Sequence, residues 1–109
     1  MVVAMALLLL LVSNLWAINQ YDSPVSASQT NTAVLFGFTA TKVVLKNDGP
    51  NSVFVDFSDS VAATSDFEIK IGETLAISKD GSEAGFTQFG AICSAGQTAV
   101  VRTLAIEGF

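Results

Sequence analysis

Histidine is absent from the 109-residue chain, and cysteine occurs once, at Cys93. The first absence removes Ser-His-Asp and Cys-His catalysis together with the imidazole-rich sites that hold zinc or copper. The second removes any disulfide within the chain, and with it the disulfide-stapled secreted scaffold. Positive charge is scarce too: five Lys and Arg stand against ten Asp and Glu, for a net charge of -5 and a pI near 4.2. Such a chain repels phosphate backbones and has no basic cluster with which to bind nucleic acid. The length allows one ordinary domain. Composition therefore points to a structural or binding module and not to an enzyme.

What the chain has in excess is apolar sequence at its front. Val2 to Val12 contains no polar residue, and only Ser13 and Asn14 interrupt the run before Leu15, Trp16, Ala17 and Ile18. Leu, Ala and Met favour helix, so residues 1–21 read as an apolar, partly helical arm or anchor. Eighteen helical residues span about 27 Å, just short of the ~30 Å hydrocarbon core of a bilayer. Three readings stay open. One is a secretory signal cut after Ala17, although no basic residue precedes Lys42. Another is a membrane anchor with Asp22 as its only nearby charge. The third, which we prefer, is a segment buried against other subunits, or a start that extends the true chain. On that reading Leu7, Leu8, Leu9, Leu10, Leu11, Leu15 and Trp16 are the interface anchors, because exposed apolar stretches of this size rarely stay uncovered. Trp16 and Tyr21 fit either a membrane-interface belt or a neighbouring protein surface. Residues 22–33, DSPVSASQTNTA, are small, polar and nearly uncharged, and read as a linker.

Residues 34–109 form the remaining unit. Short β-branched and aromatic runs separated by turn residues predict an all-β fold, a small antiparallel β-sandwich of about seven strands. The expected strands are Thr32 to Phe38, Thr41 to Lys46, Ser52 to Ser58, Phe67 to Ile71, Thr74 to Ser78, Phe86 to Cys93 and Thr98 to Ile106. Asn47-Asp48-Gly49-Pro50-Asn51 is a dense turn signal that predicts a hairpin between the second and third, and Ala95-Gly96-Gln97 separates the last two. Alternation assigns Val53, Val55, Phe57, Phe67, Ile69, Ile71, Leu75 and Ile77 to the core and leaves Phe54 partly exposed. In the last strand Arg102 shares parity with Val100, Leu104 and Ile106, which calls for a bulge or an edge position.

Chemistry-bearing constellations are thin. Asp56, Asp59 and Asp66, with Ser58, Ser60, Thr64 and Ser65 between them, offer oxygens for Ca²⁺, but the spacing matches no EF-hand, and a solvated acidic loop is the preferred reading. The pairs Asp66 with Glu68 and Glu73 with Glu83 would serve a glycosidase only in a deep cleft, which a domain of this size rarely builds. Cys93 has no base beside it and reads as a small buried hydrophobe. Gly81, Gly85 and Gly90 precede no Lys-Ser/Thr pair and read as turn glycines, not a phosphate loop. No catalytic residue, metal or cofactor is expected. The body also lacks Trp and Tyr, which argues against a carbohydrate-binding module.

Five segments together resemble a recurrent type of small tailed-bacteriophage virion protein. They are Val43-Val44-Leu45-Lys46-Asn47-Asp48-Gly49, Asn51-Ser52-Val53-Phe54-Val55-Asp56, Ala62-Ala63-Thr64-Ser65-Asp66-Phe67, Ile71-Gly72-Glu73-Thr74-Leu75 and Ala91-Ile92-Cys93-Ser94-Ala95-Gly96-Gln97-Thr98-Ala99. The resemblance implies a β-sandwich built into a phage particle assembled in the host cytoplasm, as a head decoration (cement) protein or a minor head or tail component. Its partners would be the major capsid protein or neighbouring virion subunits, and it would form homo-oligomers without a cofactor. The continuous Leu run departs from that pattern. The rival expectation is a membrane-anchored or exported β-domain of a bacterial envelope.

Overall fold

A computed structural model describes residues 19–81 and 84–107. The apolar arm, with Leu7, Leu8, Leu9, Leu10, Leu11, Leu15 and Trp16, lies outside the described residues. Eight strands follow in order: β1 (Gln20–Ala27), β2 (Thr32–Ala40), β3 (Lys42–Pro50), β4 (Val53–Asp56), β5 (Phe67–Ile69), β6 (Thr74–Ser78), β7 (Phe86–Ile92) and β8 (Ala99–Ile106). They form two four-stranded antiparallel sheets, ordered β1-β8-β3-β6 and β2-β7-β4-β5. First pairs with last, second with seventh, third with sixth and fourth with fifth. The chain is thus one long hairpin with its tip between β4 and β5, rolled up until β8 meets β3 and β7 meets β4. This is the wiring of a jelly roll, a specific form of the expected all-β sandwich.

The strand beyond the expected seven is β1, which takes up the first half of the stretch read as a linker. It pairs with β8 from Gln20↔Ile106 to Ala27↔Ala99 without a shift in register. Its inward positions include Val25 and Ala27, both buried. The alternation is there, but small residues carry it, so it does not stand out from polar linker sequence. Only residues 28–31 connect β1 to β2.

The expected hairpin is absent. β3 and β4 lie in different sheets, as do β7 and β8. Asn47 to Asn51 is therefore a corner between sheets, and the buried Asn47 side chain builds it. Its Nδ2 donates to the carbonyls of Asn51 and Ile69, each at 2.8 Å, and its Oδ1 accepts from the Gly49 N–H at 2.7 Å. Its backbone clamps the β5–β6 link: Gly72 N–H donates to Asn47 O, and Asn47 N–H donates to Glu73 O. Gly49 makes the turn at a φ of 86°, in the left-handed region that glycine enters without strain.

The core lies between the sheets, with Phe89 and Leu45 its largest fully buried side chains. Phe89 stacks at 5.9 Å from Phe36 and 5.7 Å from Phe57. Of the expected core, Val53, Val55 and Ile69 are buried, while Phe57, Leu75 and Ile77 pack against it partly covered. Phe67 and Ile71 are corrections, at 60% and 58% exposure. Phe67 shares a face with buried Val55, its cross-strand partner, but β5 is a three-residue edge strand and the facing sheet does not cover it. Ile71 lies beyond the end of β5. Arg102 needs neither of the devices invoked for it. β8 is a central strand in unbroken register with β1, and its inward positions are the small residues Ala99, Val101, Thr103 and Ala105. Val100, Leu104 and Ile106 share the outer face with Arg102.

Candidate functional site

The loop joining β4 to β5 carries the acidic cluster, and each carboxylate is engaged in a local turn. Asp56 Oδ1 accepts from both the N–H and the hydroxyl of Ser58, Asp59 Oδ1 from Val61 N–H, and Asp66 Oδ2 from Ala63 N–H. The Ser58 hydroxyl and then its N–H hold the Asp56 carboxyl below its ordinary value. These bonds fix the loop path and do not turn the oxygens toward a common centre. Among the described residues no group of three or more Asp, Glu, Cys or His stands ready to hold a metal ion.

The same loop is fastened over β7. Asn31 Nδ2 donates to Ser60 O and Asn31 Oδ1 accepts from Ala62 N–H, both at 2.7 Å. A Cβ at Gly90 would come within 2.6 Å of Ser60 O, so the loop closes down on β7 only because residue 90 has no side chain. Gly90 is a close-approach glycine within a strand, where the sequence suggested a turn.

Glu73, one half of an expected carboxylate pair, accepts from Lys70 N–H at 2.6 Å and caps the β5–β6 turn. Its proposed partner Glu83 lies outside the described residues. Cys93 is buried as expected, and burial pushes its thiol up, away from the reactive thiolate. Tyr21 is partly buried and packs against the core, with its ring 5.6 Å from that of Phe36. No buried side-chain nitrogen or oxygen among the described residues lacks a hydrogen-bond partner. The interior therefore presents no spare polar group to a ligand.

Among the described residues, two shallow surface depressions stand out. One lies on the outer face of β1 and β8, where Arg102 pairs with Asp48. The other, about 140 Å³, opens between β5 and β6, lined by Phe67, Glu68, Ile69, Glu73, Thr74 and Leu75. It sits beside exposed Phe67. The residues that mark this open flank, Phe67 and Ile71, were assigned to the core by alternation. Alternation specifies a face but not whether anything covers it.

No protein-family profile matches the chain, and no curated protein is similar to it.

Proposed function

We propose that this chain is a non-enzymatic structural subunit of a bacteriophage particle, binding and stabilising the capsid lattice as a decoration or cement protein or serving as a minor head or tail component. The observation that carries the reading is the jelly-roll wiring around a filled interior. This architecture serves viral capsids as well as lectins and cupins, so it is a likeness of fold and not of site. Ligand-binding uses need an open, polar-lined cavity. Here Phe36, Leu45, Val53 and Phe89 fill the space between the sheets. The acidic composition and the missing histidine agree with a part that works by contact. On this reading residues 1–18 supply the contact with the lattice.

The second reading, an envelope domain held by the same residues in a membrane, rests on the uninterrupted run Val2–Val12. Among the described residues no helix is long and apolar enough to cross a membrane. Density-gradient fractionation of the native source, following the chain by mass spectrometry, separates the two. The virion reading expects it to band with DNA-filled particles, with peptides from Met1 to Tyr21 present. Flotation with membranes, or a mature chain beginning near Ile18, would overturn it.

A further inference from the structure

Two four-stranded sheets have four edges, and three of them are blunted. β1 carries Pro24, which has no N–H to offer, and exposed Asp22. β2 breaks register between Leu35 and Ala40, with Gly37 at a φ of 83°. β5 is three residues long. β6 has none of these devices. Thr74–Ser78 contains no proline, glycine or charge and runs in unbroken register with β3, from Lys46↔Thr74 to Lys42↔Ser78. A regular, uncharged strand edge is a template for another strand.

We propose that β6 is the docking edge for a second copy of this chain, added antiparallel about a two-fold axis at Ala76. The inference does not depend on which particle the protein belongs to. Three observations converge on this partner and register. The bonds Asn47 N–H to Glu73 O and Lys79 N–H to Thr41 O turn the odd-numbered positions of this segment toward β3. The N–H and C=O groups of Thr74, Ala76 and Ser78 therefore face outward. Pairing about Ala76 matches outward groups with outward groups: Ala76 meets Ala76, and Thr74 meets Ser78 of the second copy. An axis falling midway between two residues would oppose mismatched groups, so the axis lies on a residue, and the side chains select Ala76.

The side chains complement one another in the same register. Leu75 comes opposite Ile77 of the second copy on the core-facing side, where both are only half-buried. Glu73 comes opposite Lys79, so each end of the joined strands carries an opposite-charge pair. Glu73 also caps its own turn, and Lys79 reaches Gly81 O at 3.4 Å, so both side chains are held at the strand ends. The neighbouring strand would cover the cleft beside Leu75 and exposed Phe67. A jelly roll with one open flank thereby becomes a pair with a continuous eight-stranded sheet.

The test uses the full chain. Ala76→Cys is treated with a short bis-maleimide and compared with Ser26→Cys, on the exposed outer side of β1, as the control; native Cys93 is buried and contributes nothing in the folded state. Ala76→Cys should give a cross-linked species of twice the 11.4 kDa chain mass, and Ser26→Cys should not. Ala76→Pro removes an outward N–H that β3 does not use, and should lose the dimer in sedimentation while keeping its circular dichroism. Glu73→Lys should weaken association and Glu73→Lys with Lys79→Glu should restore it. Cross-linking at position 76 no faster than at position 26 overturns the proposal, whatever association residues 1–18 bring about. So does an Ala76→Pro variant that folds and sediments as the wild type does.

Discussion

One flank of the sandwich is closed by the chain itself and the other is not. Where β1 and β2 form the edges the strands are eight and nine residues long, Val25, Ala27, Val34 and Phe36 are buried, and Tyr21 seals the outside of Phe36. Where β5 and β6 form the edges the strands are three and five residues long, Phe67 and Ile71 stand in solvent, and Leu75 and Ile77 are half-covered. Both flanks belong to one rolled hairpin, so the difference is one of length. The hairpin is widest near its open end, where β1 meets β8, and narrow near its tip. The tip is too short to cover what its alternating sequence turns inward. Apolar residues that one flank buries within the subunit are, on the other, available to a neighbour.

Truncating the closed flank should cost far more than truncating the open one. Phe36→Ala removes a buried ring packed among Tyr21, Phe38 and Phe89 and should lose about 3–5 kcal/mol in urea unfolding, whereas Phe67→Ala should stay within about 0.5 kcal/mol. Equal losses would mean that the open flank is covered within the subunit. Asn47→Ala tests the corner that joins the two sheets beside the open flank. It leaves the Asn51 and Ile69 carbonyls and the Gly49 N–H without their partner and should cost about 3 kcal/mol. Cys93 gives a milder probe of closure: Ellman's reagent should react with it only after denaturation, and fast reaction in the native state would show that the core around β7 opens readily.

The smallest effect concerns the β4–β5 loop. The Asp56 carboxyl has a lowered native value, so its contribution is fully present above the ordinary 3.8 and is lost as pH falls through the lower native value. The amide resonance of Ser58 should follow that titration below pH 3.8, and a midpoint at or above it would contradict the bonds to Ser58. Because the group is fully exposed, global stability should hardly register the step.

Strands were legible wherever large apolar residues alternate, as in Val53, Val55 and Ile69. Where small residues do the inward packing, β1 was not legible as a strand, and in β8, expected as a strand, the inward face was not. Val25 and Ala27 in β1, and Ala99, Thr103 and Ala105 in β8, are buried because a central or closely paired strand has little room above it. The same crowding places Arg102 outside among Val100 and Leu104. Pairing was harder still. Asn47 to Asn51 does reverse the chain, but a turn signal does not say whether the next strand returns to the same sheet or crosses to the other. That depended on the Asn47 amide reaching Ile69, a contact 22 residues away in sequence. The open flank was hidden by the logic that found the core, since Phe67 obeys the alternation and still lacks a cover.

Residue-resolved hydrogen exchange on β6 tests most directly whether the open flank is completed by a neighbour. The outward amides of Thr74, Ala76 and Ser78 should exchange at near-free rates in dilute solution and become protected as concentration rises, while the Ile77 amide, turned toward β3, stays protected throughout. Exchange at Ala76 that stays fast at every concentration would contradict the account.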